Sequence, residues 1–264
     1  MVELRKTKKR ERATRVFTDR ETPQKIFSTA IQETIKTGVP PEKNVITFYG
    51  VGGIGKTRLR KELAKKCQSY PDKILWAEVD FARKELRTLG RFLCEIVNQL
   101  EGQGAKFPHF KIAYSIYFAK KSPDIKFNED ELPFIDESGL VASIISSFDG
   151  FGIVGAAKDA VQQCYKLYTT QFALNPSVKE ELESIEHLDI HEIEDLLISF
   201  FSFDLESYSQ QKKRAPVIFL DTYEALLSNK PSDFSLSCDD WLKVASPLIK
   251  RHSFFYAGIY AGTA

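Results

Sequence analysis

Apolar positions along the chain follow two patterns: short continuous runs, and stripes at helical spacing. Ile26, Phe27, Ala30, Ile31 and Ile35 form the first stripe. Thr22 followed by Pro23 predicts its N-cap and first helical position. The helix is expected to end near Gly38, with Pro40-Pro41 breaking the chain. Asn44 to Tyr49 predicts a short strand that enters a glycine-rich turn. In the helix that follows, Leu59, Leu63 and Cys67 lie four apart on one stripe, and the other faces carry Arg58, Arg60, Lys61, Lys65 and Lys66. Ile74 to Phe81 predicts a second strand, and about Leu86 to Leu100 a helix closed by Gly102-Gln103-Gly104.

Helical periodicity resumes around 109–120 and 156–172, with an acidic, proline-containing connector at 122–138. Residues 179–209 read as an acidic helical stretch with Leu182, Ile185, Leu188, Ile193, Leu196, Leu197 and Phe200 as its apolar set, closed by Lys212-Lys213-Arg214. Pro216 to Leu220 is apolar at every position, as a strand buried on both faces should be. A helix at Asp239 to Lys250 and a last strand at Ser253 to Ala257 complete the pattern. Strands alternating with helices predict an α/β fold with a parallel sheet and helices on both faces. The stretch at about 105–210 reads as a helical insertion in that core. No internal repeat is seen.

Composition narrows the function classes. The chain has 264 residues, 43% hydrophobic and 12% aromatic, enough for a substantial core. Lys+Arg is 37 and Asp+Glu is 36, which excludes a globally basic nucleic-acid binder and a globally acidic mimic. Local patches stay open: residues 1–15 form a basic arm in which Arg5, Lys6, Lys8, Lys9, Arg10, Arg12 and Arg15 face only Glu3 and Glu11. It reads as a solvated terminus or a phosphate-contacting arm. Cys67, Cys94, Cys164 and Cys238 are too scattered for a CxxC redox or zinc pair, and read as reduced thiols of a cytoplasmic protein. No secretory signal follows Met1. Leu140 to Ala157 is the most membrane-like stretch, but Ser143, Ser146, Ser147, Asp149 and three glycines make a buried loop or helix pair the expectation.

The sharpest signal is Gly50-Val51-Gly52-Gly53-Ile54-Gly55-Lys56-Thr57, which fits GxxxxGK[ST] in full. Chance matching from average composition gives roughly one chain in a hundred of this length. The strand before the turn and the helix after it are the context the motif requires. Glycines let backbone N–H groups close on phosphate oxygens, and the helix adds its positive dipole end. Lys56 can reach the β- and γ-phosphates, and the Thr57 hydroxyl can ligate Mg²⁺. The candidate nucleotide-binding residues are therefore Gly50, Gly52, Gly53, Ile54, Gly55, Lys56, Thr57 and Arg58.

A magnesium-ordering carboxylate is expected at the end of another parallel strand. Asp221, directly after the Pro216–Leu220 run, stands in that place; its competing reading is a helix N-cap. Glu224 is the candidate general base, with a solvated helix residue or a capping-box partner of Asp221 as the competing reading. His187 and His191 are four apart, but Leu188 stands where a zinc-protease glutamate would be, so a solvated face is expected. Trp76 and Trp241 read as packing residues, and Asn229-Lys230 lacks the aspartate of a guanine-recognition motif.

Together these residues resemble the signal-transducing P-loop ATPases called STAND proteins, which include the NB-ARC and NACHT ATPases of immunity. GVGGIGKT is close to the form those families favour, and VIFLDTYE looks like their Walker B element. Phe17-Thr18-Asp19-Arg20-Glu21 looks like their short N-terminal element near the adenine, so Arg20 joins the implied nucleotide contacts. The resemblance covers about 17–67, 74–81 and 216–258 and is closest to bacterial members. It implies a P-loop NTPase three-layer sandwich over 16–264 that binds ATP or ADP with Mg²⁺. It further implies association of copies on activation, often in antiviral defence. Two departures stand out: Thr222 follows Asp221 where the family often has a second acid, and no arginine follows the last strand at the sensor position. The family's winged-helix and repeat domains, through which a protein ligand is sensed, have no counterpart up to residue 264, so a truncated ATPase core is the expectation.

The leading expectation is thus a slow ATPase acting as a nucleotide-controlled switch. The alternatives are a DNA-associated AAA+ or origin-recognition-like ATPase, supported by the basic arm alone, and a nucleotide-binding scaffold without turnover. No membrane association is expected.

Overall fold

The computed structural model describes residues 20–37, 45–121, 188–227 and 255–261. The basic arm, the connector at 122–138, the stretch at 140–157, the helices expected at 156–172 and 239–250, and His187, Cys164, Cys238, Asn229, Lys230 and Trp241 lie outside these residues. In chain order the elements are α1 (Glu21–Thr37), β1 (Val45–Gly50), α2 (Lys56–Gln68), β2 (Ile74–Asp80), a 3-10 turn (Lys84–Arg87) and α3 (Leu89–Glu101). Then come α4 (Pro108–Lys121), α5 (Ile190–Lys212), β3 (Ala215–Asp221), the single turn α6 (Glu224–Leu227) and β4 (Phe255–Ala261).

The four strands form one parallel sheet in the order β1-β4-β3-β2. The fold is therefore mixed α/β, with a small parallel sheet and helices. Because all four strands run the same way, their carboxyl ends share one edge. Asp80 is in register with Asp221 there, and Gly50 with Ala261.

Alternation along the strands sends side chains to two cores. On one face Phe48, Ile74, Val217 and Phe219 pack with Phe27 and Ile31 of α1 and with Leu59, Leu63 and Cys67 of α2. Phe27 and Phe219 meet with ring centroids 5.7 Å apart. On the other face Leu75, Ala77, Val79, Ile218 and Leu220 pack under α3, α4 and α5. Each fully buried Leu or Phe contributes about 1.5–3 kcal/mol. Burial on both faces explains the uninterrupted apolar run of β3. Burial also pushes the Cys67 thiol up to about 12, leaving it a small apolar side chain at neutral pH.

The described ends of the 105–210 stretch share this second core rather than forming one of their own. Phe107 and Phe201 stack with centroids 5.4 Å apart. The Asp204 carboxylate of α5 accepts the Phe110 backbone N–H at 2.9 Å and lies 2.5 Å from His109 Nδ1, so it caps the start of α4 from a neighbouring helix. Burial pushes its carboxyl above the usual range, opposed by His109 and by backbone N–H groups.

β2 lies at one margin of the sheet, and α3 runs beside it. Gln103 donates to the Trp76 carbonyl at 2.6 Å and accepts from the Trp76 N–H at 3.2 Å. Gln99 does the same for Glu78, at 2.8 Å in both directions. The outward backbone groups of Trp76 and Glu78 are thus satisfied by two side-chain amides.

Several boundaries differ from the sequence pattern. α1 starts at Glu21, with Arg20 O accepting from Gln24 N, so Thr22 lies inside the helix and Pro23 still falls in the first turn, where no intrahelical N–H is needed. Ile26 is exposed, and the buried stripe is Phe27, Ile31 and Thr34. α5 starts at Ile190 because Asp189 and Glu192 form a reciprocal capping box that the acidic run conceals. β4 runs from Phe255 through Ala261, so Gly258 pairs within the strand instead of ending it.

Candidate functional site

β1 delivers the chain to Gly50 at the carboxyl edge of the sheet, and α2 leaves from Lys56. The turn between them needs left-handed backbone at two places, Gly53 at φ 78° and Gly55 at φ 89°, which glycine adopts without strain. A Cβ at Gly52, Gly53 or Gly55 would meet no atom within 4 Å, so these glycines border open space. Gly55 is the N-cap residue of α2 and makes no side-chain cap hydrogen bond, so the start of the helix lies beside that space.

Lys56 is the most enclosed polar group of the turn, at 9% exposure. Its Nζ donates to Gly50 O at 2.7 Å and Val51 O at 3.0 Å, so the ammonium ties the turn to the end of β1. Arg20 Nη2 donates to Ile54 O at 2.6 Å and ties the start of α1 to the same turn. Ile54 is exposed; its Cγ2 lies 3.1 Å from where a Cβ at Gly50 would sit. Arg58 is exposed on α2.

Asp221 ends β3 beside this turn and is 3% exposed. Its Oδ1 accepts from Thr222 N at 3.0 Å and faces Thr57 Oγ1 at 3.5 Å. Its Oδ2 accepts from Arg60 Nε at 3.0 Å. Arg60 is buried as well, and its Nη1 pairs with Glu78 Oε2. The sequence pattern expects Arg60 on a polar helix face; the structure corrects this, because Arg60 lies one turn beyond Lys56 on the side facing β2 and β3. Two features of the sequence carried that signal: its four-residue spacing from Lys56, and a charged Glu78 flanked by apolar residues within β2.

Thr222 adopts φ 55°, unusual for a β-branched residue. Its hydroxyl donates to Asp80 Oδ1 at 2.7 Å, which also accepts from Ala82 N at 2.9 Å. The residue following Asp221 thus reaches an acid on the neighbouring strand. Glu224 opens α6, three residues beyond Asp221, and is partly buried. Asp221 Oδ1 bonds to Thr222 N and Oδ2 to Arg60, so its carboxylate braces the strand end against α2.

The structure brings Gly50–Thr57, Arg20, Asp221 and Glu224 to one edge of the sheet. His191 lies elsewhere, exposed, 3.8 Å from Glu194. Among the described residues no group of three or more His, Cys, Asp or Glu side chains is arranged to hold a metal by itself. Among them, too, no helix is long and apolar enough to cross a membrane. No family model, curated protein or solved structure matches the chain.

Proposed function

We propose that this chain is a P-loop NTPase that binds ATP with Mg²⁺ at the carboxyl edge of its sheet and works as a STAND-type signalling switch. The observation that carries the reading is the meeting of Thr57 with Asp221 across 164 residues, directly below a glycine turn bordered by open space. A phosphate chain fits that space: first-turn N–H groups of α2 and the helix dipole favour anions there. Lys56 exchanges the carbonyls of Gly50 and Val51 for phosphate oxygens. Thr57 Oγ1 and Asp221 Oδ1 supply two hard oxygen ligands, and phosphates and waters complete the set, which suits Mg²⁺ better than a dedicated protein cage would. A bound Mg²⁺ would supply positive charge against the phosphates at the place where Thr57 and Asp221 would hold it. Arg20 fixes the start of α1 against the turn, so a ligand that moves the turn also moves α1. Glu224 is the residue assigned to accept a proton from the attacking water.

In this reading slow hydrolysis resets an ATP-bound state in which copies associate, with bacterial defence as the expected setting. Calorimetric titration of the chain with ATP and with GTP, each in Mg²⁺ and in chelator, tests it. Saturable ATP binding that Mg²⁺ strengthens is expected. Absence of binding by either nucleotide would overturn the site. Light scattering in ATP against ADP tests the switch, and equal mass in both would remove that part.

A further inference from the structure

Asp221 does not hold its place alone. Arg60 lies between two acids, with Nε on Asp221 Oδ2 and Nη1 on Glu78 Oε2. Both atoms belong to one planar guanidinium, so the two carboxylates compete for the same positive charge. Arg60 fixes the rotation of the Asp221 carboxylate and turns Oδ1 toward Thr57. It also brings a positive charge close to where a cation between Thr57 and Asp221 would sit. Glu78 draws on that charge from the far side and leaves the group of three with one net negative charge.

We propose that Glu78 is a positioning residue that acts through Arg60 to set how tightly Asp221 holds the divalent cation of a bound nucleotide. The proposal rests on the nucleotide-binding reading above. Removing the Glu78 charge leaves Arg60 to neutralise Asp221 alone, and Oδ1 becomes a weaker ligand. The Glu78 side chain is 40% exposed and that of Arg60 6%, so the charge acts partly through solvent. Discounted for that, a unit charge one guanidinium away is worth about three- to ten-fold in cation affinity.

The test uses the whole chain, a fluorescent ATP analogue and titrated Mg²⁺. Glu78→Gln keeps the shape and a hydrogen-bonding group. It should raise the Mg²⁺ concentration for half-maximal strengthening of binding by about three- to ten-fold, while affinity in chelator stays within about two-fold. Glu78→Asp keeps the charge and should stay nearer the wild type. Three results would overturn the proposal: an unchanged Mg²⁺ requirement in Glu78→Gln, an equal loss of metal-free affinity, or a Glu78→Asp variant displaced as far as Glu78→Gln. Wild-type binding that ignores Mg²⁺ overturns it too, while leaving nucleotide binding intact. If the wild type binds no nucleotide at all, the underlying reading fails first.

Discussion

Lys56→Ala is expected to act twice, once on the ligand and once on the empty fold. In the structure Lys56 Nζ donates to Gly50 O at 2.7 Å and Val51 O at 3.0 Å, so it staples the turn before any phosphate arrives. A hydrogen bond from a charged donor is worth about 1.5–3 kcal/mol where the acceptor is left stranded. Val51 is 56% exposed, so the freed carbonyls can rehydrate, and the two bonds together are set at about 1–2 kcal/mol. For a chain of this size that lowers the melting temperature by about 2–8 °C without nucleotide. At a hundred-fold excess of ATP over Kd the wild type gains about 2.7 kcal/mol and melts higher still, whereas the variant gains none. Differential scanning calorimetry with and without Mg²⁺–ATP reads both effects. A variant that melts like the wild type when empty would refute the staple. One that keeps the full ATP-induced rise would refute the phosphate role.

Glu224→Gln should bind ATP like the wild type and lose turnover in a phosphate-release assay; equal rates would remove Glu224 as the base. Gly55→Ala forces a side chain into left-handed backbone at φ 89°. It should cost about 1–2 kcal/mol in urea unfolding, even though the Cβ itself meets open space. Asp204→Asn removes a buried carboxyl whose proton is held more tightly in the folded chain than at its ordinary 3.8. Wild-type stability relative to this variant should therefore be greatest below that value and fall as pH rises through the folded one. A difference that stays flat from about pH 4 to 7 would contradict the burial argument.

Local chemistry made half of the site readable. A glycine turn between a strand and a helix needs particular residues in sequence, so Gly50–Thr57 announces itself, and an acid after a fully apolar strand does the same for Asp221. The supporting contacts carry no local mark. Arg60 looks like one more cation on a basic helix until β2 and β3 bring Glu78 and Asp221 to it from 18 and 161 residues away. Asp204 sits in an acidic helix like its neighbours, yet it caps a helix that starts almost a hundred residues earlier. The strands were legible because burial on both faces leaves β3 no polar position before Asp221. Their order was not, since the placement of β4 between β1 and β3 depends on pairing between distant segments.

The glutamine amides along β2 bear on how copies of this chain could meet. Each amide presents one donor and one acceptor, the same pair that the peptide of an added strand would present. Gln99 and Gln103 therefore act as a short artificial neighbour that already occupies the outward groups of Trp76 and Glu78. A second molecule cannot extend the sheet on this side without first expelling them. Association between copies would have to proceed through side-chain surfaces or the opposite margin at β1, and these contacts close the β2 side to strand-templated pairing.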